Sequence, residues 1–169
     1  MTLETTTLAL AERLGQAAKR RGLMLATAES CTAGGIGYAI TAVAGSSDWF
    51  DRGFITYTNE AKREMLGVRE QTLSQFGAVS CETAREMACG AVKHSRADAA
   101  VSVTGIAGPG GAVPGKPVGT VCFGVAVRVA EELQVQAQCM HFAGDRESVR
   151  KQTVEHALRL LIERLEDAK

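Results

Sequence analysis

Short apolar runs that alternate with amphipathic helical stripes constrain this chain most, because that order calls for a sheet with helices packed on it. Leu10, Leu14 and Ala17 share one helical face, and Gly22 is a natural stop for that first helix. Leu23 to Ala28 is a short apolar run that reads as a buried strand, followed by a helix from about Cys31 to Val43. After the turn cluster Gly45-Ser46-Ser47-Asp48, Gly53 to Tyr57 reads as a second strand. Thr58 or Asn59 can cap the next helix, which carries Lys62 and Met65.

The second half repeats the alternation and then departs from it. Ala84, Met87, Ala88, Ala91 and Val92 form a helical stripe after Ser80, a suitable N-cap. Ala99 to Thr104 is the next buried strand, and it runs into a stretch rich in glycine and proline, residues 105–119. Val118 to Val129 is strand-like, and in the segment after it Leu133, Val135, Ala137 and Cys139 alternate with Gln134, Gln136 and Gln138. The short turn Ala130-Glu131-Glu132 makes these two strands an antiparallel hairpin. Val154, Leu158, Leu161, Ile162 and Leu165 close the chain as a long amphipathic helix. The expected fold is a three-layer α/β/α sandwich with a mixed, mostly parallel sheet, one domain over residues 1–169, with no internal repeat or linker.

Composition narrows what such a domain can bind. With 46% apolar and 22% charged residues in 169, the chain can bury a sizeable core. Nineteen basic residues balance nineteen acidic ones, so no overall field recruits nucleic acid or an anionic membrane, and any anion must be held locally. The five cysteines, Cys31, Cys81, Cys89, Cys122 and Cys139, are odd in number and form no CxxC pair, which predicts free thiols in a reducing cytoplasm. The N-terminal MTLETTTLALAERL is unlike a signal peptide, and the apolar runs are too short to span a membrane. His94, His141 and His156 are far from the motifs below, and Cys139-x-His141 is too sparse for a metal site.

Three motifs place chemistry at element ends. In AESCTAGG, residues 28–35, Ser30 leaves a strand and opens a helix, where following N–H groups can stabilise an oxyanion. The same serine can be a simple cap, and Cys31 is a rival nucleophile. In GSSDWFDRGFITYTNEAKREMLGV, residues 45–68, Lys62 falls in the first turn of a helix, where the macrodipole disfavours an ammonium. A lysine so placed can work as a base, with Tyr57 relaying a proton or orienting a hydroxyl. A surface lysine beside a half-buried tyrosine is the bland alternative. The five-residue Tyr57-to-Lys62 interval and the lack of a GxGxxG fingerprint argue against a nicotinamide-dependent oxidoreductase.

The third motif is SVTGIAGPGGAVPGKPVGTV, residues 102–121. Gly110 to Lys116 fits seven positions of a P-loop, but Pro117 stands where the magnesium-binding hydroxyl belongs and a strand follows instead of a helix. What remains is a glycine-rich loop whose N–H groups and Lys116 can cradle one phosphate, the bland alternative being a floppy surface crossover.

Taken together, AESCTAGG, GSSDWF with TYTNEAK and LGV, and VTGIAGPGG with KPVGTV resemble the C-terminal domain of the CinA family, whose members act as nicotinamide-nucleotide amidases. The domain occurs fused to a molybdopterin-cofactor-like domain or alone, and this chain resembles the stand-alone form. The resemblance implies Ser30 as nucleophile, with Tyr57 and Lys62 as its partners, and Thr104 as the loop threonine. It implies hydrolysis of the carboxamide of nicotinamide mononucleotide, without metal or organic cofactor, by a cytoplasmic homodimer. Cys31 and Thr32 would supply oxyanion N–H groups, and Gly45, Ser46, Gly105, Gly108, Gly110, Gly111 and Lys116 complete the expected substrate-binding set. One departure is visible: Ala33 stands where members commonly carry the first of two glycines. A non-catalytic nucleotide- or partner-binding domain is the alternative reading, separable by ammonia release.

Overall fold

A computed structural model describes residues 3–167, in which the apolar runs become one five-stranded sheet between two helical layers. In chain order the elements are α1 (Thr5–Arg21), β1 (Leu25–Glu29), α2 (Gly35–Thr41), β2 (Phe50–Ile55), α3 (Asn59–Leu66), α4 (Glu70–Phe76), α5 (Cys81–Lys93), β3 (Ala99–Gly105), β4 (Thr120–Val129), β5 (Glu132–His141) and α6 (Arg146–Asp167). The strand order is β2-β1-β3-β4-β5. β1 pairs in parallel with β2 and β3, whereas β3–β4 and β4–β5 are antiparallel, so the sheet is mixed.

Burial explains the patterns. Every residue of β1 is buried, because helices cover both faces, and its sequence is correspondingly a continuous apolar run. On one side, α1, α2 and α6 pack on Val101, Val103, Phe123 and Val125. On the other, α3, α4 and α5 pack on Ala26, Ala28, Ala100 and Ala126. Small residues dominate this second face, so its helices lie close to the sheet. A Cβ on Gly124 of β4 would lie 2.3 Å from the Ala84 carbonyl oxygen of α5, and where α5 meets α3 a Cβ on Gly90 would lie 2.0 Å from the Leu66 carbonyl oxygen.

The expected caps are in place. Gly22 ends α1 in the left-handed region, Thr58 Oγ1 accepts from Ala61 N at 3.0 Å, and Ser80 Oγ accepts from Thr83 N at 3.1 Å. The hairpin also forms, with β4 and β5 in unbroken register from Thr120–His141 to Val129–Glu132.

Three expectations need correction. The helix expected from Cys31 begins only at Gly35, because Ala33 (φ +48°) and Gly34 (φ +94°) adopt left-handed conformations that no helix contains. Ser30 therefore opens a tight turn, and Ala33 holds a conformation that glycine adopts without penalty. Secondly, the chain forms α4 in a segment to which the pattern assigns no element, since it offers Leu73 and Thr72 but no apolar stripe. Thirdly, the thiols are not all free: the hairpin register sets Cys122 opposite Cys139, with Cα atoms 4.1 Å apart, and the two form a disulfide. Cys31, Cys81 and Cys89 remain thiols. Among the described residues no helix is long and apolar enough to cross a membrane.

Candidate active site

The parallel strands β1, β2 and β3 end at one edge of the sheet, and the segments leaving them supply one polar pocket. Ser30 follows β1 and donates its N–H to Val103 O at 3.1 Å, while Thr56 N donates to Glu29 O at 2.8 Å. These bonds hold the three strand ends together.

Lys62 reaches this edge from α3. Its Nζ donates to Ser30 Oγ at 3.1 Å and to the Thr56 carbonyl at 2.9 Å, and the residue is only 1% exposed. Among the described residues no carboxylate forms an ion pair with the amine. Burial pushes its pKa from the ordinary 10.5 down to about 8, against an upward pull from Cys31. A hydroxyl in contact with an amine whose affinity for its proton is lowered is an arrangement chemically able to supply a nucleophile and a base. The neighbouring Cys31 thiol is pushed up to about 11 by burial, so it stays protonated and is a poor rival.

Beneath Ser30, the buried Glu29 organises the turn. Its carboxylate accepts from Thr27 Oγ1 (3.1 Å), Thr32 Oγ1 (2.7 Å), Ile36 N (2.9 Å) and Gly37 N (2.9 Å). The N-terminal amides of α2 are thus taken up by Glu29, which ties the turn bearing Ser30 to that helix.

The pocket, about 180 Å³, is lined by Ser30, Cys31, Tyr57, Lys62, Thr104 and Gly105 from the predicted set, together with Asn59, Ala78, Val79, Ala107 and Arg146. Thr104 Oγ1 donates to the Ala78 carbonyl at 2.7 Å, joining β3 to the segment before α5. Tyr57 is 59% exposed at the mouth, and its hydroxyl accepts from Arg146 Nη2 at 3.2 Å. Arg146 Nη1 also donates to Gly108 O at 2.9 Å. A larger cleft of about 620 Å³ adjoins at Arg146 and is lined by Thr32, Gly35, Arg150 and Lys151 among others. There Arg150 donates through Nη2 to Thr32 O at 3.3 Å, while its Nε is buried without a hydrogen-bond partner.

Several predicted residues fall elsewhere. Gly45 and Ser46 precede β2, at the opposite end of that strand from Tyr57, and do not line the pocket. Gly110 and Gly111 are exposed and line neither concavity. Lys116 turns away to donate to the Phe76 carbonyl at 2.7 Å. Arg146 lies outside the predicted set, although it sits at the N-terminus of α6 and so carries the signal that singles out Lys62: a cation at the unfavourable end of a helix.

Comparison with known proteins follows the same outline. The model of the CinA C-terminal domain matches residues 7–165. The chain belongs to the CinA C-terminal domain family. It is 54% identical over 152 residues to the nicotinamide-nucleotide amidohydrolase PncC of Escherichia coli (strain K12), covering 90% of each chain. A Pseudomonas putida protein of the same name is 50% identical over 151 residues, covering 88% of this chain and 91% of that one. Among solved structures, the competence/damage inducible protein CihA from Agrobacterium tumefaciens superposes with a TM-score of 0.92 at 48% identity, over 99% of this chain and all of the other.

Proposed function

We propose that this chain is an amidohydrolase that converts nicotinamide mononucleotide to nicotinate mononucleotide and ammonia, a step in recycling pyridine nucleotides. One observation carries the mechanism: a buried, partner-poor amine, Lys62, lies in hydrogen-bond contact with the Ser30 hydroxyl. The activity for which the similar PncC proteins are named supports the reaction.

In this reading Ser30 Oγ attacks the carboxamide carbon while neutral Lys62 takes its proton directly. The tetrahedral oxyanion is held by N–H groups of Cys31 and Thr32, each donor contributing about 3 kcal/mol in comparable hydrolases. Protonated Lys62 then delivers its proton to the leaving nitrogen and ammonia departs. Water, deprotonated by Lys62, attacks the acyl-serine; the bond to Ser30 Oγ breaks as Lys62 returns the proton to that oxygen, and the nicotinate mononucleotide so released ionises to the carboxylate. Tyr57, whose hydroxyl meets Arg146 rather than Lys62, orients substrate at the mouth instead of relaying the proton.

The pyridine carboxamide occupies the smaller pocket and the ribose phosphate extends past Arg146 into the larger cleft. Two observations favour that placement over the glycine-rich loop: Lys116 is engaged with Phe76, and Arg150 Nε is a buried donor that an anion would satisfy. The proposal includes a cytoplasmic homodimer, and light scattering of the purified protein tests the dimer. The deciding assay is ammonia release over a panel of pyridine carboxamides and their nucleotides. Turnover of nicotinamide mononucleotide is expected, and silence across the panel would leave only a binding domain.

A further inference from the structure

Three sulfurs from three separate elements converge on the α5 side of the sheet. Cys122 is buried on β4, Cys139 faces it across the hairpin from β5, and Cys81 is the first residue of α5, immediately after the cap Ser80. Their Sγ atoms all lie within 4.8 Å of one another, and Cys81 Sγ is 3.5 Å from Cys139 Sγ. Cys31 and Cys89 take no part in this cluster.

We propose that Cys81, Cys122 and Cys139 form a binding site for a thiophilic cation such as Zn(II), opened by reduction of the Cys122–Cys139 bond. Thiolates are the preferred ligands of such ions. With metal–sulfur bonds of about 2.3 Å, tetrahedral sulfurs stand roughly 3.8 Å apart. The present spacing is therefore close to what a shared ion needs, and reduction has only to let two sulfurs separate. Cys139 is exposed and Cys81 partly so, which gives an ion a path inward and leaves a fourth position for water. The backbone frame is set already, by sheet register for Cys122 and Cys139 and by a capped helix start for Cys81.

The chemistry balances in two steps. A dithiol reductant gives two electrons and two protons to the disulfide, becoming a disulfide itself and leaving Cys122 and Cys139 as thiols. The cation then forms three bonds to sulfur as three thiol protons pass to solvent. The oxidised and metal-bound states exclude one another. The site also adjoins the proposed active site, because Ala78 and Val79 line the pocket just before Cys81 and Thr104 stands opposite Cys122 in the sheet.

The test uses the full-length chain, reduced by a dithiol and desalted without oxygen, then titrated with Zn(II) against a chromophoric chelator. One equivalent should bind reduced protein and none the oxidised form, and Co(II) in place of Zn(II) should give a thiolate-to-metal charge-transfer band. Altering hydrogen-bonding partners outside the ligand set commonly costs 10–100-fold in metal affinity, so losing a ligand should cost at least about 100-fold. Cys81→Ser and Cys139→Ser should show that loss, while Cys89→Ser should bind as wild type does. Both altered ligands are solvent-accessible, so neither experiment depends on tolerance of Cys122→Ser in the core. Failure of the reduced protein to take up Zn(II), or wild-type affinity in Cys81→Ser, would overturn the proposal. Neither outcome depends on amidase activity.

Discussion

The Lys62 amine and the Ser30 hydroxyl are 3.1 Å apart, although the residues lie on opposite sides of a crossover and on different layers. If the amine is the base, the serine and the lysine fail together. Ser30→Ala and Lys62→Ala should each lower kcat by more than about 1000-fold, in line with loss of a nucleophile or its base elsewhere. Lys62→Arg keeps the charge but holds its proton, so it should be as inactive as Lys62→Ala. With the amine titrating near pH 8, kcat/KM should fall about tenfold per pH unit well below that value. An active arginine variant would give the base role to another group.

The same lysine makes a prediction about stability. Its pKa is about 8 in the folded chain and 10.5 ordinarily, so between those values the unfolded state binds more protons and stability rises with pH. Below about pH 8 the buried ammonium is a burden. Relative to Lys62→Met, wild type should therefore gain on the order of 3 kcal/mol between about pH 7.5 and about pH 10.5, a pKa difference of one corresponding to about 1.4 kcal/mol. Urea unfolding of both proteins across that range measures it, because lost hydrogen bonds displace the two curves without changing their divergence. Parallel curves would show that Lys62 is not desolvated in the folded state.

Phosphate recognition separates two cations. Arg146→Ala should reduce kcat/KM for nicotinamide mononucleotide at least tenfold, since a hydrogen bond to a charged group is worth roughly 1.5–3 kcal/mol. The loss should be smaller for nicotinamide riboside. Lys116→Ala should change neither substrate by more than about twofold, its amine being held by Phe76 O. A larger effect from Lys116 than from Arg146 would return the phosphate to the glycine-rich loop.

Glu29→Gln should lower both stability and kcat. The amide puts an NH2 group where an oxygen now accepts from two donors, so at least one of four bonds becomes a clash of donors. Destabilisation of about 2–4 kcal/mol follows from the loss of charge-assisted bonds in a buried site. As the turn bearing Ser30 loosens, kcat should fall with little change in KM. A variant of wild-type kcat would reduce Glu29 to a purely structural anchor.

Strands, caps and hairpin are legible in the sequence because burial on both faces, N-cap hydroxyls and alternation each leave a local signature. Ser30 and Lys62 are legible for the same reason, as polar groups at element ends. The turn after Ser30 is not, since only the backbone conformation at Ala33 reveals that no helix starts there. Glu29 leaves no such trace, because nothing local distinguishes a carboxylate that will be buried under four donors. The sulfur cluster is hidden by distance along the chain: only sheet register brings Cys122 to Cys139, and only helix packing adds Cys81.

The close passage of α5 beneath α3 at Gly90 gives the pocket a dependence that pocket-lining positions do not disclose. Lys62 shares α3 with Leu66, whose carbonyl leaves no room for a side chain at position 90 of a helix that contributes no residue to the pocket lining. A library randomised only at the pocket wall would never sample this variable. Any side chain at position 90 would force α3 and α5 apart at Leu66, one helical turn from the amine that meets Ser30, so a substitution far from the pocket wall acts on the helix that carries Lys62.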